Sequence, residues 1–195
     1  MIRRFREELS ASDRAALARR IDSYLEFRAD VARFQAKAFA DVCTQKCFAS
    51  QDSACCNREG IATFFADVAI NVLLSSDNEI DALLQALAED RGGHKCVYLY
   101  EKGCLWRLKP IVCEMFLCEH AKKQGFAGRA ASAQEWEELR RREKEYTWPD
   151  RPVLFDELEA LFVQAGHESP LMYFHRSPGL LRVKACSHLR QNAVE

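Results

Sequence analysis

The sequence predicts a mainly α-helical fold with one short β-hairpin, organised around a cysteine-bound metal site. Apolar residues recur at three- and four-residue steps over much of the chain, as they do in amphipathic helices. Near the middle, two short aromatic and β-branched runs flank a glycine-containing turn. Eight of the nine cysteines lie within two stretches, residues 43–56 and 96–118. The first two features predict the secondary structure, and the third predicts the metal site.

The N-terminal part, residues 1–42, is predicted to be helical. Ser12 and Asp13 suit the start of a helix, and one face then carries apolar side chains at helical spacing. That face comprises Ile21, Tyr24, Leu25, Val31, Phe34 and Ala38. Arg28 lies on the same face, and we expect its long stem to lie along apolar surface. Residues 44–57 are polar without periodicity, which predicts a loop that carries thiols.

Two further helices are predicted after this loop. Residues 59–74 place apolar side chains on one helical stripe. A second helix is expected to begin at Ser76, which can form a capping box with Glu79, and to end at Gly92 and Gly93. This region also carries most of the acidic surplus, which we interpret as a solvated face: Asp67, Asp77, Glu79, Asp81, Glu89 and Asp90.

The second half of the chain begins with the hairpin, in which residues 96–100 and 104–108 form the strands. Pro110 then suits the first turn of a helix over 110–123. Later helices are predicted from Ser132 to about Tyr146 and from residues 150–152 to Gly166, and residues 167–195 have no clear pattern. We expect one domain, residues 1–195, whose parts are an N-terminal helical segment (1–42), a cysteine-cluster core (43–125) and a C-terminal helical segment (126–195).

The charge balance excludes some partners. Lys plus Arg number 28 and Asp plus Glu number 29, which gives no electrostatic reason to bind nucleic acid or an anionic membrane. No apolar run is long enough for a membrane span, and the first residues lack the apolar core of a signal peptide. We therefore expect a cytoplasmic protein that binds neither nucleic acid nor membranes.

The cysteines are best explained as metal ligands. A cytoplasmic protein meets a reducing environment, and its cysteine number is odd, so a disulfide framework is not expected. Thiolates are soft donors that select zinc, copper(I) or the iron of iron–sulfur clusters. Redox-active thiols and small apolar core residues are the alternatives. Core cysteines would not cluster in this way, and we therefore favour metal binding.

The spacing ranks the individual cysteines. Cys43 and Cys47 share a helical face, and Cys96 and Cys104 can lie side by side on paired strands. The adjacent pair Cys55 and Cys56 suits a polynuclear cluster or two neighbouring sites, because adjacent side chains diverge. Cys113 and Cys118 lie on different faces of one helix, so both can reach one metal only if the helix ends between them. The candidate ligands are Cys43, Cys47, Cys55, Cys56, Cys96, Cys104, Cys113 and, as the weakest, Cys118.

Over roughly residues 43–118, the chain resembles the YkgJ-like family of cysteine-cluster proteins, whose domain is described as zinc- or iron-chelating. The resemblance rests on the cluster ending in Cys55-Cys56, the later cysteines, Gly-Cys-Leu-Trp at 103–106 and Lys109-Pro110 in place of the family's Arg-Pro. It implies that the cysteines from Cys43 to Cys113 match the family's cluster positions. The chain departs from the family in its wider cysteine spacing and in Ala54, where the family often has glycine.

These observations predict a metal-binding protein that acts in electron transfer, in metal handling or as a module for a protein partner. An iron–sulfur cluster is slightly favoured over zinc because of the vicinal pair and the number of thiols. The alternative is a cluster-dependent or thiol-redox enzyme, although the sequence offers no evident acid–base pair. His94 and His120 remain possible ligands, whereas Cys186 lies outside both groups.

Overall fold

The computed structural model describes residues 1–53, 55–57, 62–89, 94–148 and 153–172. These residues are mainly helical, with one two-stranded antiparallel sheet, so the predicted secondary-structure class is confirmed. The elements are helices α1 (Ile2–Glu8) and α2 (Ala11–Phe39), a π-helix (Ala40–Phe48), helices α3 (Phe65–Leu74) and α4 (Asp77–Ala88), strands β1 (Leu99–Tyr100) and β2 (Gly103–Cys104), and helices α5 (Ile111–Glu114), α6 (Glu119–Phe126), α7 (Ala130–Thr147) and α8 (Leu154–Gln164).

The N-terminal segment is two helices rather than one. The break lies at Leu9 and Ser10, and the Ser10 hydroxyl caps α2 by accepting from the Asp13 N–H at 3.1 Å. The predicted start at Ser12 is therefore wrong by two residues, because Ser10 is the residue that satisfies an N–H of the first turn. The predicted apolar face of α2 is largely buried, including Arg28.

The main core forms where α2 packs against α7 and α6, and α7 against α8. Tyr24 and Phe27 of α2 have no exposed surface, and the Tyr146 ring of α7 stacks on Phe27 with centroids 5.4 Å apart. A second cluster joins α1, α3 and α8, where the Phe162 ring lies 4.1 Å from Phe5 and 5.0 Å from Phe65. These aromatic contacts fix the helices that support the cysteine-rich segments.

The helix predicted over 59–74 begins only at Phe65. Its first turn is capped by Asp67, whose Oδ2 accepts from the Phe64 N–H at 3.0 Å, and residues 62–64 are not helical. The next helix begins as predicted, since Ser76 and Glu79 form a capping box. It ends at Ala88, before the predicted glycines at 92 and 93, which lie outside the described residues.

The C-terminal helices also differ from the prediction at their starts. Helix α7 begins two residues before Ser132, because the N–H groups of Ser132 and Ala133 already donate to the Arg129 carbonyl. Helix α8 follows Val153, and its predicted start at 150–152 falls outside the described residues. Among the helices of the described part, none has the length and apolarity needed to cross a membrane.

Candidate metal centre

Cys43 and Cys47 lie on the π-helix that continues α2. A π-helix is closed by i→i+5 backbone hydrogen bonds, and the Ala49 N–H donates to the Thr44 carbonyl at 3.1 Å in this pattern. The two cysteines are four residues apart, which is close to one helical turn. The predicted loop over 44–57 is therefore wrong in its first part, because helical structure extends to Phe48. The four-residue spacing of Cys43 and Cys47 still agrees with the prediction that they share a helical face, because both residues lie within the π-helix.

A tight turn follows the π-helix and leads to the vicinal pair. The N–H groups of Asp52 and Ser53 both donate to the Cys47 carbonyl, at 3.0 and 3.1 Å. Gln51 and Ser53 have φ values of 63° and 38°, a left-handed conformation that residues with a side chain rarely adopt. Such conformations persist where the surrounding structure enforces them, and they are common at functional sites. The turn fixes the direction in which the chain enters Cys55 and Cys56.

The two cysteine-rich stretches meet through their backbones. The Cys96 N–H donates to the Cys56 carbonyl at 3.0 Å, and Asn57 and Lys95 form an antiparallel bridge. The Lys95 ammonium also donates to the Asp52 carbonyl. The vicinal pair and Cys96 are therefore brought together although forty residues separate Cys56 from Cys96 in sequence.

The hairpin carries Cys104, but it is shorter than predicted. Leu99 pairs with Cys104 and Tyr100 with Gly103, while Cys96 lies just before β1. The Leu105 N–H extends the pairing by donating to the Tyr98 carbonyl at 2.9 Å. Burial raises the pKa of the Cys104 thiol, and a hydrogen bond from the Trp106 backbone N–H opposes that rise. Cys104 is therefore a partly shielded thiol whose sulfur already accepts a backbone hydrogen bond.

Cys113 and Cys118 are separated by a break in the predicted helix over 110–123. Helix α5 ends at Glu114, and α6 begins after Cys118, whose sulfur accepts from the Ala121 N–H at 3.4 Å. Partial desolvation raises the pKa of Cys113 to about 11, although the residue remains accessible at the surface. The helix thus ends between the two cysteines, which is the condition under which both can act as ligands.

The thiols influence one another electrostatically. Burial raises the pKa of Cys43, and the negative charges of Cys55, Cys118 and Cys47 raise it further. A hydrogen bond from Cys56 lowers the pKa of Cys55. The positive charges of Lys109 and Lys95 lower it further because they favour the Cys55 thiolate. The same hydrogen bond raises the pKa of Cys56. Neighbouring thiolates repel one another, and a bound cation would relieve that repulsion.

Buried polar side chains hold the segment that joins Cys104 to Cys113. From α3, Asn71 accepts from the Leu108 N–H and Asp67 accepts from the Ile111 N–H, each at 3.0 Å. From α2, the Arg28 guanidinium donates to the Lys109 carbonyl at 2.7 Å. Residues 106–110 belong to no strand or helix, and these three side chains satisfy backbone groups of 108–111.

Arg28 is the centre of that arrangement. Its guanidinium also donates to the Tyr24 hydroxyl at 2.9 Å and lies 3.9 Å from the Glu114 carboxylate. Glu114 has a second cation, the Lys109 ammonium, at 3.4 Å. The whole Arg28 side chain is buried, and its charged head is bonded instead of reaching solvent. This role of Arg28 was not predicted, because residue spacing alone does not reveal a buried ion pair.

Asp67 was expected on a solvated acidic face, and the structure buries it. The expectation fails because Asp67 lies on the apolar stripe side of α3, where it serves two backbone N–H groups. Its position four residues before Asn71 is the signal that could have indicated a polar row facing another segment. The remaining acidic residues that the structure describes in this group are not buried.

We expect the ionisation of Asp67 to lower the stability of the metal-free chain as the pH rises. Burial raises its pKa from 3.8 to about 6, so the folded chain retains this proton to a higher pH than the unfolded chain. Relative to an Asp67→Asn variant, the native chain should lose roughly 3 kcal/mol of unfolding free energy between about pH 4 and pH 7. Urea denaturation across this range measures the difference, and a constant difference would contradict the assignment.

All eight predicted ligands lie in described residues, but they do not form a ready-made ion site. Within the described ranges, no group of three or more His, Cys, Asp or Glu side chains is arranged to hold a metal ion. His94 and His120 are exposed, and Cys186 lies outside the part of the chain that the structure describes. The described geometry therefore supplies thiols on segments that contact one another, without an assembled ion site.

No family model, curated protein or solved structure matches this chain.

Proposed function

We propose that this chain is a metal-binding protein whose cysteine thiolates hold an iron–sulfur cluster or zinc. Its role would be electron transfer, metal handling or service as a module for a protein partner. The observation that carries the proposal is the backbone hydrogen bond from Cys96 to Cys56, which joins the two cysteine-rich stretches. This bond places the vicinal pair beside the segment that leads into the hairpin, and soft donors in the number that the chain carries suit zinc or iron–sulfur chemistry.

The local fold also supports metal binding over buried core thiols. All eight described cysteines are free, and none of them is fully buried. Structural cysteines that serve only as small apolar residues are usually enclosed. Here Cys55 and Cys113 are exposed, and the other six are half-buried. Such partly shielded thiols remain reachable by an incoming ion.

An iron–sulfur cluster is slightly favoured over zinc. The chain carries more thiols than one zinc ion requires, and its vicinal pair fits a single tetrahedral ion poorly. Cys104 already accepts a backbone N–H, a contact that stabilises charge on a cluster thiolate as well as on a free one. Zinc ligation uses the same residues, so the choice between the two metals rests on chemical analysis.

A thiol-redox enzyme is the second candidate function, and the environment of Cys55 favours it. This exposed thiol receives a hydrogen bond from Cys56, and two lysine ammonium groups, Lys95 and Lys109, lower its pKa further. A thiolate stabilised in this way is a better nucleophile at neutral pH than an ordinary cysteine. Under this alternative, Cys55 would stay reactive towards an alkylating reagent after metal is supplied.

The decisive experiment is anaerobic purification followed by metal and acid-labile sulfide analysis and a visible absorption spectrum. A brown protein that contains iron and sulfide would support the cluster, and a colourless protein with bound zinc would support zinc. A chain that carries neither metal, and that takes up neither from added zinc nor from iron with sulfide, would refute the proposal.

We expect the Cys55→Ser/Cys56→Ser variant to lose most of its metal and to unfold at a lower temperature. Both thiols lie where the two stretches join, so their removal takes ligands from the centre of the arrangement. Metal analysis and thermal unfolding measure the two effects. The matched control is Cys186→Ser, which removes a thiol outside both cysteine groups. Unchanged metal content in the double variant would exclude this pair as ligands.

A further inference from the structure

Helix α4 leaves part of its apolar side uncovered. Ile80, Leu84 and Leu87 recur at four- and three-residue steps, so they lie on one face of this helix, which we call the α4 stripe. Ile80 is buried, whereas Leu84 and Leu87 are 53% and 60% exposed. Single exposed leucines are ordinary on protein surfaces, but these two continue a stripe that begins in the core. The apolar face of α4 therefore extends from the core onto the surface.

The part of the chain that the structure describes ends near the buried end of this stripe. After α8, the His167 ring packs edge-to-face on Phe5, with centroids 5.7 Å apart. The Met172 N–H then donates to the Ser169 carbonyl at 3.0 Å, which closes a turn. Met172 has no exposed surface, and it belongs to the hydrophobic cluster that also contains Ile80. The chain that follows Met172 therefore starts in the cluster from which the α4 stripe extends.

The sequence directly after Met172 supplies apolar side chains. Tyr173 and Phe174 are the next two residues, although they lie outside the described part of the chain. Aromatic side chains bury large apolar areas. The two exposed leucines of α4 lie about 6 and 10 Å beyond Ile80 along the helix axis, and two extended residues advance about 7 Å. These aromatic residues are therefore within reach of the exposed end of the stripe.

Charge favours this segment over a second copy of the chain as the cover. Helix α4 carries three acidic residues and no basic one. Two of the acids, Asp77 and Asp81, remain more than half exposed although each bonds an arginine of α1. Residues 173–195 carry four basic residues and one acidic residue. A two-fold contact through the stripe would instead bring one acidic α4 against another, so the basic segment is the better match.

We propose that Tyr173 and Phe174 cover the α4 stripe by packing on its two exposed leucines. The structure buries three residues of α4, namely Ile80, Leu83 and Ala86. The added contact is therefore a large part of the apolar packing that holds this helix to the rest of the fold. It joins α4 to the chain beyond α8, and it does not depend on the presence of a metal.

The test is amide hydrogen exchange of α4 in the full chain carrying Tyr173→Ala/Phe174→Ala. This variant leaves the sequence of α4 unchanged, so a change in exchange reports the lost cover. Protection of the α4 amides should fall roughly tenfold, because covering apolar surface opposes local opening of the helix. The matched control is Val194→Ala, which removes apolar atoms twenty residues further along the same segment and should leave α4 protection unchanged.

The reciprocal variant is Leu84→Ala/Leu87→Ala, in which alanine preserves the helix propensity of α4. It should also lower α4 protection, and adding the two aromatic substitutions should then cause little further loss, because the four side chains form one contact.

Unchanged α4 protection in the aromatic variant, or fully additive losses in the combined variant, would overturn the proposal. So would a dimer, seen by sedimentation of the full chain, that Leu84→Ala/Leu87→Ala converts to a monomer, because a second copy would then cover the stripe. Far-UV circular dichroism identifies a variant that fails to fold. In that case the single variants Tyr173→Ala and Phe174→Ala, each expected to cause part of the loss, replace it in the comparison.

Discussion

If the proposed centre is structural, removing metal from the loaded chain should lower the unfolding free energy by about 10 kcal/mol, a value typical of structural zinc at neutral pH. The effect is expected to be large because the segments around the vicinal pair and the hairpin contain little regular secondary structure. Each strand of the hairpin is two residues long, and isolated hairpins are at best marginally stable in water. Metal ligation would supply the missing free energy. Urea denaturation with and without a strong chelator measures the difference.

Metal removal should at first unfold only the cysteine-rich segments. The two hydrophobic clusters are formed mainly by helices α1–α3 and α6–α8, and no buried cysteine belongs to either of them. Chelation should therefore remove amide-exchange protection from 43–57 and 94–118 while most of the helical circular dichroism remains. The Cys55→Ser/Cys56→Ser variant is the control, because chelator should change it much less. An unchanged unfolding midpoint in the native chain would contradict a structural role for the metal.

The helices were predictable because burial of one face imposes a periodic pattern on the sequence. The face of α2 that carries Ile21, Tyr24 and Phe34 could be identified from spacing alone, and the capping box at Ser76 could be identified from residue type. Helix ends were less predictable. Several residues that can cap a helix lie near each start, and tertiary packing selects among them, as it selects Ser10 rather than Ser12.

The π-helix and the break before Cys118 could not be predicted for a different reason. A π-helix uses the same residue types as an α-helix, and its wider turn arises from what the helix packs against. The break after α5 similarly has no proline or glycine between Glu114 and Cys118 to mark it. Both features concern the candidate ligands directly. The sequence therefore identifies which cysteines are candidates, whereas the segments that the fold brings together, such as those of Cys56 and Cys96, required the structure.

The roles of the buried polar residues beside the site were the hardest feature to predict from the sequence. Asp67, Asn71 and Arg28 are far in sequence from the segment whose backbone they bind. A polar residue on an otherwise apolar face is equally compatible with an exposed edge or with a buried partner. Only the fold decides between these possibilities, since it places the backbone groups of 108–111 opposite them.

Replacement of Arg28 by methionine should destabilise the metal-free chain by about 3 kcal/mol, at the lower end of the range for breaking a buried ion pair. The side chains of Arg28 and Glu114 are only 3% and 9% exposed. The variant leaves the Lys109 carbonyl without its donor and removes one cation from Glu114. The Lys109 ammonium, 3.4 Å from Glu114, keeps the loss from being larger. Urea denaturation measures the change.

Arg33→Met is the matched control, because it makes the same substitution on the same helix at an exposed pair. Arg33 is bonded to Asp30, and its side chain is 72% exposed, so its loss should change the unfolding free energy by at most about 1 kcal/mol. Adding Glu114→Gln to Arg28→Met should recover part of the stability, because the double variant no longer buries a carboxylate that has lost one of its two cations. If the Arg28 and Arg33 variants changed the unfolding free energy equally, the Arg28–Glu114 pair would not contribute to stability as a buried ion pair.

Metal binding gives the same substitution a second readout. Arg28 holds the Lys109 carbonyl four residues before Cys113, so its loss should loosen Cys113 relative to Cys104 and weaken metal affinity. Competition with a chromophoric chelator measures this affinity, and Arg33→Met should leave it unchanged. If Arg28→Met lowered stability but not affinity, the guanidinium would support the core alone. A fall in both would mean that the buried charge of α2 also positions the ligand-bearing segment.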